Sequence, residues 1–228
     1  LTAQTAEGRL YEVDMRLRPS GNQGPVAVRL ESFAAYHRHE AWTWERMALT
    51  RARVVAGPPA LARRVAETVR AELLRATDPT KIKQDARAMR ERLAGQFPGS
   101  DCWDMKYAPG GLIDIEFIAQ VLQLVAAPER PEILDTNTIA ALEKCDAAGV
   151  LAHADAQSLV HAARLQQGLT QILRIAEDGA FRAEKAAGAL KDMLARTHGV
   201  PSFDIVARDL RDAQSRTREI FNRLLPAT

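Results

Sequence analysis

Apolar residues recur at helical spacing over most of this chain, and that periodicity decides which class of fold it can adopt. The clearest example is 203–225, and residues 154–177 and 181–196 show the same spacing. Side chains three and four positions apart lie on one face of a helix, so each such face must be buried against another helix. The pattern predicts a helical bundle, with these residues of 203–225 on its inner face: Val206, Leu210, Ala213, Thr217, Ile220 and Leu224.

Capping and turn residues divide the middle of the chain into further predicted helices. Asp78 followed by Pro79 is typical of a helix start, because aspartate accepts from the first free N–H groups and proline fits the first turn. The Gly57-Pro58-Pro59 sequence predicts a helix end. The predicted helices upstream of the bundle are 32–57, with Ser32 as its cap, then 60–76, 79–95, 115–127 and 136–148.

The first thirty residues follow a different pattern, in which apolar and charged side chains alternate. Such alternation, in the stretch LYEVDMRLRPSG at 10–21, is typical of a β-strand. Turn-forming residues fill 19–25, and the β-branched stretch 26–30 is suited to pair back as a second strand. The predicted fold is therefore mainly α, with a short β-hairpin within 1–31 followed by a helical bundle domain over 32–228.

Composition argues against several functional classes. A net charge of +2 over 228 residues is too small to indicate binding to nucleic acid or to an anionic membrane. Neither a membrane-spanning apolar run nor a signal peptide is predicted. Cys102 and Cys145 form neither a disulfide framework nor a metal pattern, which favours a reducing, cytoplasmic location. Because the first residue is Leu rather than Met, we expect a piece of a longer protein.

The alternating strand offers the first candidate site. Its charged residues would all project from one face of a strand. An aspartate beside arginines suits a metal-bound triphosphate, since the carboxylate binds Mg²⁺ and the guanidiniums bind phosphate oxygens. The alternative, favoured by periodicity alone, is a solvated sheet face with cross-strand ion pairs. The residues concerned are Glu12, Asp14, Arg16 and Arg18.

The predicted helix around 41–54 offers a second candidate. Glu45 has no basic residue three or four positions ahead of it. Arg46 and Arg53 would share a helix face with Trp42 and Leu49, and arginines among large apolar groups need an acidic or phosphate partner. The alternative is a half-buried helix whose arginine side chains extend outward to solvent.

A third candidate is the stretch WDMKYAPGGLIDIEF at 103–117. Lys106, the pair Gly110 and Gly111, and a helix start follow one another, and glycine-rich loops before helices can bind phosphate through backbone N–H groups. Asp114 and Glu116 lie near the first turn and would repel an anion unless a cation or an arginine lies between them and the anion. A plain loop is therefore the favoured interpretation.

Together, the stretches LYEVDMRLRPSGNQGP, AWTWERMALTRARVVAG and DMKYAPGGLIDIEFIAQ, in this order, closely resemble the glutamine synthetase adenylyltransferases. These are two-headed bacterial enzymes that attach AMP to a tyrosine of glutamine synthetase and remove it. The sequence AWTWE resembles the corresponding sequence in the C-terminal, adenylylating half of these enzymes. The resemblance implies that 1–31 holds the last strands of a nucleotidyltransferase-type α+β domain and that 32–228 is the helical domain.

The resemblance also implies residue roles. Asp14 matches the third metal-binding carboxylate, and Arg16 and Arg18 match phosphate-binding arginines. The helical part would have one or more of three roles: to close the nucleotide cleft with Lys106, Asp114 and Glu116, to present a surface to glutamine synthetase, or to relay the signal of a PII-type protein and glutamine. Glu12, Glu45, Arg46, Arg53, Gly110 and Gly111 would form the rim or support it. The first two carboxylates belong to an upstream Asp-x-Asp motif that this sequence does not contain. We therefore expect the isolated chain to be inactive, because one carboxylate of three binds metal ions poorly.

For the intact enzyme, the resemblance implies ATP as substrate, Mg²⁺ as cofactor, and glutamine synthetase, a PII-type signal protein and glutamine as partners. Two other interpretations remain open. One is a non-catalytic helical interaction or regulatory module. The other is a relative of the PII uridylyltransferases, which is less favoured because no His-Asp doublet occurs.

Overall fold

A computed structural model describes residues 3–8, 13–99 and 101–227, and over these ranges the fold is mainly helical. No helix in this part of the chain is long and apolar enough to cross a membrane. Within the same ranges the α-helices are α1 (Leu30–His39), α2 (Thr43–Leu49), α3 (Pro59–Leu73), α4 (Pro79–Gln96), α5 (Leu112–Ala126), α6 (Thr138–Ala147), α7 (His153–Ala176), α8 (Gly188–Thr197) and α9 (Phe203–Leu224).

Helix α5 lies at the centre of the bundle. It is apolar almost all round, and it packs against α2, α4, α6, α7 and α9. The main core forms around it, and Ile115, Ile118 and Leu124 are among its fully buried side chains. A second core joins α7, α8 and α9 to the 101–105 loop, where the rings of Trp103 and Phe203 stack at 5.3 Å.

The predicted inner face of the last helix is confirmed. Of its six residues, four are buried, and Ala213 and Leu224 are partly buried. The predicted helix over 154–177 is also confirmed as α7. The helix predicted at 181–196 begins later, at Gly188, and Phe181 instead packs edge-on against Trp103 in the second core.

The single helix predicted over 32–57 is wrong, because the chain forms two short helices there. The side chain of Glu45 accepts a hydrogen bond from the N–H of Trp42 at 2.8 Å, which caps a new helix start. The predicted cap Ser32 lies inside α1, which begins at Leu30. Helix α2 ends at Leu49, and no further helix forms before α3.

The predicted hairpin is not formed in the described residues. Residues 13–18 and 26–29 contain no strand, and 10–12 lie outside the described ranges. Instead the guanidinium of Arg18 donates to the carbonyls of Met15 at 2.7 Å and Gly24 at 3.1 Å, which closes a loop. A two-stranded hairpin is marginal without a further strand or a packed face. The alternating pattern has no such partner among the described residues.

Candidate functional site

Asp14 lies on an exposed loop and is bound by its near neighbour Arg16. The Nε of Arg16 donates to both carboxylate oxygens, at 3.0 and 2.9 Å, and its backbone N–H donates at 2.9 Å. These hydrogen bonds lower the pKa of Asp14 to about 2. The side chain of Asp14 is 56% exposed, so this carboxylate is ionised and reachable from solvent.

The surroundings of Asp14 do not by themselves fit a Mg²⁺ ion. Both of its oxygens are bound by Arg16, and the described residues contain no group of three or more acidic, histidine or cysteine side chains placed to bind a metal. Mg²⁺ in proteins uses carboxylates together with substrate phosphates. Glu12 lies outside the described residues, and Arg18 is engaged with backbone carbonyls.

The predicted site on α2 is buried inside the protein. Glu45 is 6% exposed and accepts a hydrogen bond from the hydroxyl of Tyr36 at 2.8 Å. Arg46 is 4% exposed and donates to the hydroxyl of Thr77 at 2.8 Å and to the carbonyls of Glu72 and Arg75 at 3.1 and 3.2 Å. Arg46 therefore caps the end of α3, and burial lowers its pKa to about 10.

The face that Arg46 was expected to share with Trp42 and Arg53 does not form. Helix α2 ends at Leu49, so Arg53 lies on the irregular segment beyond it and is exposed. Trp42 is 70% exposed and Arg46 points inward. Arg46 therefore binds a hydroxyl and two backbone carbonyls rather than an acidic residue or solvent.

Asp114 is the centre of a buried ionic network. It is fully buried, and its two oxygens accept from the Nε of Arg90, from Nη1 of Arg218 at 3.1 Å and from the N–H of Gly110 at 2.7 Å. Arg90 also donates to the carbonyl of Tyr107 at 3.0 Å. This carboxylate therefore joins α4, α5 and α9 to the loop before α5.

The glycine pair before α5 is a packing feature. A Cβ added to Gly110, whose φ is +78°, would lie 1.8 Å from the carbonyl oxygen of Gln214, and one added to Gly111 would lie 2.7 Å from that of Met105. The N–H of Gly110 binds Asp114, and that of Gly111 donates to the carbonyl of Ala108 at 2.8 Å. These amides are not available to a phosphate, so the favoured plain-loop interpretation agrees with the structure.

Lys106 and Glu116 lie at the surface near this loop. The ammonium of Lys106 is 4.8 Å from the centre of the Tyr107 ring. Lys106 also lines an open cavity of about 830 Å³ between this loop and the end of α7. Glu116 accepts from Arg51 at 2.8 Å. No hydrogen bond or ion pair among the described residues joins either residue to the Asp14 loop.

Sequence reasoning missed the partners that complete the buried network. Arg90 and Arg218 lie 24 and 104 positions from Asp114 along the chain, and nothing local in the sequence marks them. Gln166 and Gln214 were missed as well. They bind the loop from α7 and α9, donating to the carbonyls of Gly110 at 3.2 Å and of Cys102 at 2.8 Å.

Two family models match the chain, in separate parts. Residues 1–69 match the model described as glutamate-ammonia ligase adenylyltransferase. Residues 80–225 match the model described as GlnD PII-uridylyltransferase. The second match covers α4 to α9, so the buried Asp114 network lies wholly within it.

Several curated proteins are similar over nearly the whole chain. Proteins named bifunctional glutamine synthetase adenylyltransferase/adenylyl-removing enzyme are 49% identical in Rhodopseudomonas palustris strain TIE-1 and 47% in Bradyrhizobium sp. strain BTAi1, each over 98% of this chain. The counterpart in Xanthobacter autotrophicus strain Py2 is 46% identical over 99%. The chain spans only 23% of the length of each relative. It belongs to the glutamine synthetase adenylyltransferase family, and its residues 80–225 belong to the domain family of the PII-uridylyltransferase model.

Proposed function

We propose that this chain is part of a longer cytoplasmic nucleotidyltransferase that transfers AMP from ATP to a tyrosine of glutamine synthetase and, through its other half, removes it. The observation that carries the proposal is 49% identity over 98% of the chain to a protein of that name. In this proposal 1–31 completes the nucleotidyltransferase domain, and 32–228 is the helical domain of the C-terminal, adenylylating half.

Asp14 and the arginines after it are the chain's proposed contribution to the catalytic centre. In the longer enzyme, 10–18 would pair with strands of the catalytic sheet, and Asp14 would join two upstream carboxylates. Arg16 would then exchange the carboxylate of Asp14 for a phosphate oxygen of ATP, and Arg18 would bind beside it. The exposure of both Asp14 and Arg16 leaves them free to make this exchange.

The proposed reaction is attack of a tyrosine hydroxyl on the α-phosphate of ATP, which forms the tyrosyl–AMP bond and releases pyrophosphate. Mg²⁺ is the proposed cofactor of the longer enzyme. The described residues of this chain do not by themselves fit the ion. The chain's cations would bind and orient phosphate oxygens, which is the main protein contribution to such transfers.

The remaining candidate residues have supporting roles in this proposal. Lys106 is exposed beside an open cavity, and we assign it to the phosphate side of the cleft. Arg53 and the Arg51–Glu116 pair lie at the surface as rim residues. The buried residues are positioning residues that hold this rim in place: Glu45, Arg46, Gly110, Gly111 and Asp114.

An adenylylation assay tests the proposal in two steps. The 228-residue chain, incubated with ATP, Mg²⁺ and glutamine synthetase, should transfer no AMP, because two carboxylates are missing. A polypeptide of the relatives' full length should be active, and Asp14→Asn in it should reduce kcat by at least about a hundredfold. Asp178→Asn, an exposed aspartate in the loop after α7, is the matched control. Robust turnover by the short chain, or full activity of Asp14→Asn, would contradict the proposal.

A second candidate is a helical interaction module without catalytic residues. Two observations favour it: Asp114 is buried, and the backbone N–H groups of Gly110 and Gly111 already donate to protein oxygens. The candidate phosphate site therefore has no N–H group free for a phosphate at these two glycines. In this candidate, the surface of α4 to α9 would meet glutamine synthetase or a PII-type protein, or respond to glutamine. Full activity of the long Asp14→Asn enzyme would favour this candidate.

A further inference from the structure

Large apolar side chains that remain exposed are concentrated near the start of the chain. Single exposed apolar residues are ordinary, but a group of them on one surface indicates that another element covers it. Nine of the twelve among the described residues lie between 13 and 61: Val13, Met15, Leu17, Val26, Val28, Trp42, Val54, Val55 and Leu61.

Three of these nine residues, Leu17, Val54 and Val55, line one apolar groove. It is a cavity of about 550 Å³ between α1, α3, the irregular segment that follows α2, and residues 134–136. Leu49 and Leu73, which belong to the main core, form part of its floor. Val54 and Val55 form part of its rim and are 39% and 84% exposed. The groove is therefore continuous with the core and open to solvent.

The charges in the groove favour an acidic occupant. Arg53 and Arg70 line it, and neither forms an ion pair with any residue that the structure describes. The third charged lining residue, Asp135, is bound by the ammonium of Lys144 at 2.8 Å, and that hydrogen bond lowers its pKa. Within the described part of the chain these two positive charges have no acidic partner, so a carboxylate on the occupant would be attracted.

The segment beside the groove favours a polypeptide over another ligand. Residues 52–55 belong to no helix or strand, and the backbone groups of 53–56 make no hydrogen bond to described residues. Backbone N–H and C=O groups without protein partners can hydrogen-bond to an extended peptide, whose alternate side chains then enter a neighbouring pocket.

We propose that the groove and the 53–56 edge seat an extended segment of the same polypeptide from outside these 228 residues. Its alternate apolar side chains fill the groove, and at least one carboxylate binds Arg53 and Arg70. The inference rests on the proposed function, because it takes the chain as part of a longer enzyme. Its support is that the relatives are about four times longer, since the chain spans 23% of them, and that the groove is built mainly from the part matching the adenylyltransferase model.

A peptide array tests this inference. Short overlapping peptides that cover the whole Rhodopseudomonas palustris TIE-1 relative are probed with the labelled 228-residue chain. We expect binding to peptides from outside the matched quarter that alternate apolar residues with Asp or Glu. The double variant Arg53→Glu/Arg70→Glu should weaken binding by about tenfold or more, whereas Arg63→Glu, an exposed arginine of α3 outside the groove, should not.

A second pair of variants tests the apolar part without disturbing the fold. Val55→Lys should abolish binding, and Ile175→Lys, at a residue 90% exposed near the end of α7, should leave it unchanged. Binding that survives both groove variants, selection of lysine-rich peptides, or groove-dependent dimerisation of the chain would each overturn the inference. If peptides bind as expected but the full-length enzyme is inactive, the proposed AMP transfer alone is contradicted. If no peptide binds but the full-length enzyme transfers AMP, the docking site alone is contradicted.

Discussion

Two aspartates of this chain are bound by arginines, and their surroundings are opposite. Asp14 is paired with Arg16, two positions away, and both side chains are more than half exposed. Asp114 is fully buried and binds Arg90 and Arg218, which come from distant helices. An exposed pair between neighbours contributes little to folding, whereas a buried one cannot lose a partner without leaving a charge uncompensated. The Asp14–Arg16 pair can therefore open to bind a ligand, whereas the ion pairs of Asp114 stabilise the fold.

The largest effect expected from this comparison is at Gly110, which closes the loop around Asp114. Gly110→Ala should destabilise the protein by more than about 4 kcal/mol or prevent folding, because the new Cβ would lie 1.8 Å from the carbonyl oxygen of Gln214. Gly149→Ala is the matched control, since Gly149 has a similar φ of +71° and no atom within 4 Å. It should cost only about 1–2 kcal/mol in urea unfolding. Equal losses would mean that backbone strain, rather than close packing, decides both positions.

Replacing each aspartate by alanine compares the two ionic pairs directly. Asp114→Ala should lower the free energy of unfolding by about 3–5 kcal/mol, because Arg90 would remain buried without its carboxylate. Asp14→Ala should leave the urea midpoint unchanged, because its partner stays hydrated. Both are measured by urea unfolding at neutral pH and low salt. A stable Asp114→Ala protein would show that water enters the network, and the contrast between the two sites would then be lost.

The first quarter of the chain also contains a buried titratable group, His37, which sharpens the comparison. Burial lowers its pKa, the nearby Glu45 and Glu72 oppose this effect, and Arg46 adds to it. Because the folded-state pKa lies below the unfolded value, the unfolded chain binds the proton more readily, and stability is lost as pH falls below the ordinary histidine pKa.

The loss between about pH 7.5 and pH 5.5 should be at most about 1.4 kcal/mol. Urea midpoints at the two pH values measure it, and His37→Gln should remove most of the difference. His153→Gln, at an exposed histidine that binds Asp146, serves as the comparison. A pH dependence that survives in His37→Gln would assign the effect to another group.

The helical part was predictable from the sequence because its signal is local and repeated. The apolar spacing of 203–225 determined both the helix α9 and its buried face, and Asp78 was correctly predicted as the cap of α4, where its side chain accepts from the N–H of Thr80. The hairpin was not predictable in the same way. Alternation at 10–18 shows what a strand would expose, but whether a strand forms depends on neighbours to pair with.

The Asp114 network shows a second limit of sequence reasoning. Asp114 and the glycine pair were singled out from their position at a helix start, which is compatible with both a phosphate site and a plain loop. The deciding contacts come from Arg90, Gln166 and Arg218, whose proximity is a property of the folded bundle. A single sequence contains no record of such long-range pairs.

The smallest effect concerns the pKa of Asp14, which defines the exposed side of the comparison. The carboxyl carbon of Asp14, followed by NMR during acid titration, should show a pKa of about 2, because Arg16 donates to both oxygens of the ionised form. Whatever stability the pair adds is present above the ordinary aspartate pKa and is lost as pH falls towards 2. Arg16→Gln should return the pKa of Asp14 to its ordinary range. Arg18→Gln should not, because the guanidinium of Arg18 binds backbone carbonyls.

An ordinary pKa of Asp14 in the unsubstituted chain would mean that Arg16 does not hold the carboxylate in solution. Asp14 could then bind a metal ion without first releasing Arg16, and the partner exchange proposed for ATP binding would be unnecessary.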